Sequence, residues 1–346
     1  MKPPVRPVSL LAASALALAG AIHACVPSDT RPVPASLTLT VSPSQATRSG
    51  VLTADGWTLT FDRVLLGIGR ASLGTSCVSY SEANYDRLID VTRGPQKLSI
   101  LHGLGHCDLR MRIASPSSEA LLGDGVTEED RIRMRTPGKD KYVSRGGISV
   151  DVRGSARRGE VIKRFDFVFR SRIAYRQCSL SPDGGASDSI LGDGGDELLD
   201  AGGDSGVDPE APPEGMGVVL NNEAVLVRDF RIEAEALFRD AAVAAAASLR
   251  FDPYAAADTD GDGVVTLAEL ENVPIALVRD GGAFEAGTAQ VDAGGRSGQT
   301  IPIQSLGDLV YVVLLPTLPR FGEVGACGSD LGIDRRPDGG ADGGPG

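Results

Sequence analysis

Twelve consecutive residues, from Asp258 to Glu269, constrain the local backbone more than any other part of the chain. Asp258, Asp260 and Asp262 stand at alternate positions, so their carboxylates converge only if the chain curls around one point. Gly263 follows at the place where such a curl needs a backbone conformation that a Cβ atom penalises. Glu269 closes the segment with a side chain long enough to reach back toward the aspartates. The pattern therefore predicts a tight loop that gathers oxygen ligands around a hard cation.

This segment resembles the calcium-binding loop of the EF-hand at each ligand position. The resemblance implies that Val264 offers its carbonyl oxygen and that Thr266 binds directly or holds a bridging water. It also implies that Glu269 supplies both of its carboxylate oxygens. The alternative interpretation is a polar turn that binds no ion. We expect a Ca²⁺ site whose ligands are Asp258, Asp260, Asp262, Val264, Thr266 and Glu269.

The sequence on either side of the loop indicates what kind of site it forms. The entering helix covers only Pro253 to Ala257, with proline at its first position. The helix that leaves the loop starts near Thr266 and is ended by Pro274. Both helices are short for an EF-hand. We therefore expect a permanently loaded structural site rather than a calcium sensor.

A second segment echoes part of the first. EF-hands usually pair through the residue at position eight of the loop, which is Val265 here. Residues 305–308 repeat the pattern of residues 266–269, but uncharged residues replace the three aspartates upstream of them. One hypothesis is that residues 297–308 form a degenerate loop that holds no calcium and pairs with the first. The alternative is a segment unrelated to the EF-hand.

The first residues are typical of an exported protein. A basic start precedes an apolar run from Leu10 to Ile22, which is shorter than the roughly 20 residues that span a bilayer. The run ends in Ile22-His23-Ala24-Cys25, which resembles the lipobox of bacterial lipoproteins. The resemblance implies a signal peptide over residues 1–24 and a lipid on Cys25 that anchors the protein in the outer membrane or at the cell surface. The alternative is a plain signal peptide followed by a chance cysteine.

Cysteine usage supports export. Four cysteines remain after Cys25, and an even number suits an oxidising compartment. Four cysteines allow three pairings. We favour Cys77 with Cys107 and Cys178 with Cys327, and the alternative is that some of them stay buried as free thiols.

The acidic balance of the chain is local. The net charge is −12, but residues 181–215 carry ten of the 46 acidic residues and none of the 34 basic ones. The rest of the chain is therefore close to neutral. This distribution does not predict a surface for nucleic acid, which requires clustered positive charge.

The alternation of apolar and polar residues predicts the fold. Trp57, Leu59 and Phe61 alternate with polar residues, and Phe165 and Phe167 repeat the pattern later in the chain. A helix is expected to interrupt the strands after residue 127. The predicted class is mainly β with α, in which an N-terminal antiparallel β-sandwich-like domain precedes a small helical EF-hand region. The pattern resembles the β-sandwich domains of uncharacterised bacterial envelope lipoproteins.

The predicted organisation has six parts. A signal peptide over residues 1–24 is followed by a tether over 25–50 that is rich in Pro, Ser and Thr. The alternative for Leu37 to Val41, where apolar and polar residues alternate, is a short edge strand. The remaining parts are a β-sandwich-like domain over 51–180, an acidic disordered linker over 181–215, a strand and EF-hand region over 216–327, and a disordered tail over 328–346.

Other constellations are weaker. His102 and His106 are interpreted as residues of a turn between strands, because Gly103 and Gly105 separate them, and the alternative is a zinc or catalytic pair. No serine stands in a GxSxG motif. The main hypothesis is a non-enzymatic, lipid-anchored, calcium-binding structural or binding module of the envelope, with an unknown protein or surface ligand as partner. The alternative is a secreted, calcium-stabilised hydrolase whose catalytic carboxylates have no recognisable spacing.

Overall fold

The computed structural model describes residues 32–74, 77–80, 85–178, 217–221, 224–241, 247–275, 288–293, 296–322, 325 and 327–333. The described residues from Pro34 onward belong to one compact unit. Strands account for 47% of the structure and helices for 19%. The predicted mainly-β class is therefore confirmed. The signal peptide, Cys25 and the acidic linker over 181–215 lie outside the described residues.

Nineteen strands and five short α-helices make up the described part. The strands are β1 Ala35–Pro43, β2 Val51–Leu52, β3 Thr58–Ile68, β4 Ser72–Leu73, β5 Val78–Tyr80, β6 Arg87–Asp90, β7 Gln96–Cys107, β8 Leu109–Ile113, β9 Leu121–Leu122, β10 Val150–Arg158, β11 Val161–Phe169, β12 Arg172–Arg176, β13 Val218–Leu220, β14 Val225–Ile232, β15 Val264–Thr266, β16 Thr288–Ala293, β17 Arg296–Pro302, β18 Pro319–Phe321 and β19 Gly328–Gly332. The α-helices are α1 Gln45–Ser49, α2 Glu128–Arg135, α3 Asp252–Ala257, α4 Leu267–Leu270 and α5 Leu306–Asp308. A π-helix covers Leu309–Leu314, and 3₁₀ turns cover Val91–Arg93, Ala234–Phe238 and Leu315–Thr317.

The smaller of the two main sheets is built around β1. Its strand order is β13-β7-β1-β14-β18, with β5 paired to β7. β1 runs antiparallel to β7 and parallel to β14, and its alternate residues Ala35, Leu37 and Leu39 are buried. The tether predicted over residues 25–50 is therefore wrong from Ala35 onward. Apolar side chains at alternate positions of this segment form a buried face, and a solvated tether has no such face.

The larger sheet has eleven strands and follows the path β15-β11-β10-β3-β8-β12-β19. The predicted alternation is observed in β11, where Phe165, Phe167 and Phe169 are buried and the residues between them are more exposed. Helix α2 begins as predicted, because Thr127 and Asp130 form a capping box. The buried faces of the two sheets contribute to the same hydrophobic cluster.

The predicted division into two domains is wrong for the described residues. Strand β14 pairs with β1, β15 pairs with β11, and β19 pairs with β12, so late segments complete sheets that early segments begin. The disordered tail predicted over 328–346 is also wrong for its first residues, since β19 lies within it. Leu331 is buried there, and residues beyond 333 lie outside the described part.

Two disulfides close the fold. Cys77 bonds to Cys107 and Cys178 bonds to Cys327, with Cα–Cα distances of 4.9 and 4.0 Å. The favoured pairing is confirmed. The second disulfide joins the end of β12 to the start of β19, so it fixes the C-terminal strand to the larger sheet.

The two histidines lie in a strand, and their assignment to a turn is wrong. His102 and His106 both belong to β7, which is paired on both sides by other strands. Gly105 has a φ of 101°, a backbone conformation that residues with a Cβ atom rarely adopt. A Cβ atom on Gly103 would come within 2.6 Å of a Leu73 methyl group and 3.0 Å of a Leu220 methyl group. The close packing of these two side chains therefore favours glycine at this position.

None of the helices in the described ranges combines the length and the apolar character needed to cross a bilayer.

Candidate metal centre

The helix that leads into the candidate loop is packed into the hydrophobic core. Helix α3 follows Phe251, and Tyr254 and Ala257 on this helix are fully buried. The Tyr254 hydroxyl donates to the Leu237 carbonyl at 2.5 Å, and the Tyr254 ring stacks on Phe251 with centroids 5.8 Å apart. The short entering helix predicted from the sequence is therefore observed, and packing rather than length anchors it.

The carboxylate of Asp55, in the turn between β2 and β3, caps the same helix. Asp55 accepts hydrogen bonds from the main-chain N–H groups of Phe251 and Asp252, each at 2.7 Å. Asp252 in turn accepts from the Trp57 indole at 2.8 Å. These bonds satisfy N–H groups that a helix start leaves without partners and tie the loop entry to the turn before β3.

Asp258 organises the backbone of the loop. One of its carboxylate oxygens accepts from the Gly261 N–H at 2.9 Å, and the other accepts from the Gly263 N–H at 3.1 Å. Gly263 has a φ of 81°, the left-handed conformation that the sequence predicted for this position. The side chain of Asp258 has no exposed surface. The first predicted ligand is thus a buried carboxylate around which the chain turns.

The three aspartates come together as predicted. One carboxylate oxygen from each of Asp258, Asp260 and Asp262 lies within 4.8 Å of the others. Asp260 accepts from the Asp262 N–H at 3.1 Å, and Asp262 accepts from the Val264 N–H at 2.7 Å. Asp260 and Asp262 are exposed. The cluster can therefore receive a metal ion from solvent on one side, while Asp258 faces the protein.

A lysine from the neighbouring strand reaches this cluster. The Lys163 ammonium on β11 forms an ion pair with one carboxylate oxygen of Asp258. This hydrogen bond holds the pKa of Asp258 below its usual range, and the loop N–H groups reinforce the shift. Sequence analysis missed Lys163, because nothing in local spacing places residue 163 beside residue 258.

The second half of the loop becomes part of the larger sheet. Strand β15 runs parallel to β11, with Val264 opposite Arg164 and Val265 opposite Phe165. The Arg164 N–H donates to the Gly263 carbonyl at 2.8 Å, and Val265 is fully buried. Position eight of the loop therefore pairs with β11 and not with a second loop.

Glu269 lies outside the aspartate cluster. Its Oε2 atom accepts hydrogen bonds from the Thr266 N–H at 2.8 Å and the Thr266 hydroxyl at 2.9 Å, which forms a capping box at the start of α4. Its Oε1 atom is buried and has no hydrogen-bond partner in the described part of the protein. Glu269 is thus positioned by α4, with one carboxylate oxygen left available.

The hypothesis of a degenerate second loop over residues 297–308 is wrong for the first half of that range. Residues 296–302 form β17, which pairs with β16 and does not curl into a loop. The end of the range does lie beside the exit of the candidate loop. The Ile275 N–H donates to the Gln304 carbonyl, and the Leu306 N–H donates to the Val273 carbonyl, both at 2.8 Å.

The echo between the two segments reflects a shared helix start. Asp308 caps α5 by accepting from the Ser305 N–H at 2.9 Å, as Glu269 caps α4. Asp308 is buried, and its other oxygen accepts from the Lys141 ammonium and the Tyr142 hydroxyl. Burial opposes ionisation of this carboxyl, but these bonds hold its pKa below the usual range. The repeated pattern therefore encodes two capping boxes.

Comparisons with protein-family models, with curated proteins and with solved structures found no match.

Proposed function

We propose that residues 258–269 bind Ca²⁺ and that the bound ion fixes β15 and the elements attached to it onto the larger sheet. The convergence of Asp258, Asp260 and Asp262 within 4.8 Å carries this proposal. All of the donors are oxygen atoms, which hard divalent cations prefer. The irregular arrangement favours Ca²⁺ over Mg²⁺, because Mg²⁺ demands a near-ideal octahedron.

The unpaired oxygen of Glu269 supports the same conclusion. A buried polar atom without a hydrogen bond costs roughly 1–3 kcal/mol, so it needs a compensating role. Glu269 Oε1 is such an atom, and it belongs to the side chain that ends the loop. A cation bound between the aspartate cluster and Glu269 would supply its partner, and Thr266 and the Val264 carbonyl would complete the ligand set.

The role that follows is structural. Val265 is buried next to Phe165, and Leu267 and Leu270 of α4 are buried in the same hydrophobic cluster, so the second half of the loop is part of the core. Carboxylates that repel one another oppose this closure in the absence of a counter-charge. An ion that binds only the folded loop stabilises the fold by mass action. We infer a calcium clamp and not a sensor that opens on binding.

Isothermal titration calorimetry with CaCl₂ and with MgCl₂ tests the proposal. We expect the full chain to bind one Ca²⁺ and to bind Mg²⁺ much more weakly. Asp262→Asn should weaken Ca²⁺ binding at least tenfold, about 1.4 kcal/mol. Asp124→Asn removes an equally exposed carboxylate far from the loop in sequence and should leave binding unchanged. Equal loss in both variants, or no heat of binding in the parent, would contradict the proposal.

We further propose that the protein is exported and anchored to the envelope membrane through a lipid on Cys25. Two disulfides are compatible with an oxidising compartment. The lipobox resemblance of residues 22–25 supports the anchor. Cys25→Ser should move the protein from the membrane fraction to the aqueous fraction of a bacterial expression host. A protein that fractionates identically with and without Cys25 would contradict the anchor while leaving calcium binding untouched.

A secreted, calcium-stabilised hydrolase is the alternative proposal. It requires two carboxylates about 5–10 Å apart in a cleft that admits a glycoside. Hydrolysis of a panel of chromogenic glycosides by the calcium-loaded chain would favour this alternative over the structural module.

A further inference from the structure

Lys163 is the one basic side chain paired with the aspartate cluster among the described residues. Its ammonium contacts Asp258, the only member of the cluster whose side chain is completely buried. The other two aspartates face solvent. A protein cation therefore already occupies the inner carboxylate of the site that we propose for Ca²⁺.

The fold holds Lys163 in this place. It lies on β11 directly before Arg164, whose N–H donates to the Gly263 carbonyl within the loop. The same strand pairs with β15, so the stem of Lys163 and the loop belong to one hydrogen-bonded unit. The side chain is about three-quarters buried, with 23% of its surface exposed. The pairing of β11 with β15 therefore places the Lys163 side chain next to Asp258, where it is mostly buried.

The ammonium and a divalent cation would both pair with the Asp258 carboxylate. Gly261 and Gly263 N–H groups already use both carboxylate oxygens of Asp258, and Lys163 uses one of them a second time. A Ca²⁺ ion that coordinates Asp258 would stand within a few ångströms of the ammonium, where two positive charges repel each other. This repulsion opposes calcium binding as long as Lys163 stays paired with Asp258.

We propose that Lys163 is an internal counter-ion that holds the loop closed without metal, is displaced by Ca²⁺, and thereby lowers the calcium affinity of the site. This inference rests on the proposed function of the loop. The ammonium compensates the buried charge of Asp258 while the ion is absent. The loop then has two closed states, one with the tethered cation and one with the divalent cation.

The test compares calcium binding by the full chain with that of two single variants. Lys163→Met removes the ammonium and keeps an unbranched stem, whereas Lys97→Met removes an exposed lysine from β7. We expect Lys163→Met to bind Ca²⁺ about tenfold more tightly by calorimetry, which corresponds to about 1.4 kcal/mol. Lys97→Met should keep the parent affinity. Without calcium, the melting temperature of Lys163→Met should fall below that of Lys97→Met, and calcium should raise it by a larger amount.

Each other outcome has a definite meaning. If Lys163→Met binds Ca²⁺ with the parent affinity or more weakly, the inference is overturned and the calcium site stands. If the parent and both variants fail to bind, the proposed function itself is overturned. Lys163→Gln provides a second variant if the methionine variant does not fold, because its amide still donates a hydrogen bond to Asp258 without carrying a charge.

Discussion

Val265 lies opposite Phe165 in the parallel pairing of β15 with β11. The strand inside the candidate calcium loop, β15, is therefore also the end strand on the main path of the larger sheet. The EF-hand resemblance predicted a second loop beside Val265, and strand β11 lies there instead. The consequence is that closure of the loop and completion of the sheet are the same event. Calcium binding and fold stability are therefore expected to be coupled.

Replacement of Val265 tests how much the packing of β15 against β11 contributes to the stability of the fold. Val265→Ala should lower the free energy of unfolding by about 2 kcal/mol, because it removes buried methyl groups and leaves a cavity beside Phe165. Val161→Ala on β11 provides the control, since Val161 is exposed. Urea unfolding measures both variants. Equal free energies of unfolding for the two variants would mean that the contact between β15 and β11 contributes little.

Replacement of Gly263 separates backbone strain from ligand geometry. Gly263→Ala should cost about 1–2 kcal/mol, because φ is 81° and a Cβ atom is strained there although it meets no neighbour. Gly159→Ala is matched, since Gly159 also has a positive φ and open space around it but lies in the turn between β10 and β11. Both variants should lose stability in urea, and only Gly263→Ala should lose calcium affinity by calorimetry. Equal calcium affinities would contradict a role for Gly263 in the site.

Glu235 predicts a pH dependence of stability. Burial raises the pKa of this carboxyl, although the hydroxyls of Ser44 and Thr47 donate to it at 2.8 and 2.7 Å. A raised pKa means that the folded protein disfavours the carboxylate, so stability falls as pH rises through the ordinary glutamate pKa and up to the folded value. Glu235→Gln should therefore be more stable than the parent at pH 7. The difference in melting temperature should shrink toward pH 4, and a constant difference across this range would contradict the assignment.

The acidic segment predicts tolerance to deletion. The Gly217 N–H donates to the Cys178 carbonyl at 2.8 Å, so the described residues on either side of the segment are adjacent. Replacing residues 181–215 with a short Gly/Ser linker should leave the melting temperature and calcium affinity nearly unchanged, because shortening a loop that is already closed costs little entropy. A loss of stability as large as that of Val265→Ala would show that the segment contributes to the fold.

Local patterns predicted the parts of the protein that local chemistry determines. Alternate aspartates followed by Gly263 predicted the cluster, because the loop forms from bonds between residues only a few positions apart. The capping box at Thr127 and the buried face of β11 followed from spacing in the same way. The cysteine pairs were favoured without a local signal, and the structure confirms them.

Long-range pairing accounts for what the sequence did not predict. The position of β1 at the centre of a sheet depends on its pairing with β14, nearly two hundred residues away. The contact between Lys163 and Asp258 depends on parallel pairing of β11 with β15. Hydrophobic periodicity marks a segment as a strand but carries no information about which strand it joins. The tether over residues 25–50 was predicted from its Pro, Ser and Thr content, and nothing in that stretch indicated the strands that β1 joins.

Thermal unfolding of the full chain in calcium and in a calcium chelator tests the central claim most directly. An ion that binds only the folded loop adds about 2.7 kcal/mol at a concentration 100 times its dissociation constant. For a chain of this size we expect the melting temperature to rise by roughly 5 °C in calcium relative to the chelator. Asp262→Asn should reduce the increase by about half or more, because a tenfold weaker site contributes only about 1.4 kcal/mol at the same calcium concentration, whereas Asp124→Asn should retain the full increase. An identical melting temperature of the parent in millimolar calcium and in chelator would contradict the account.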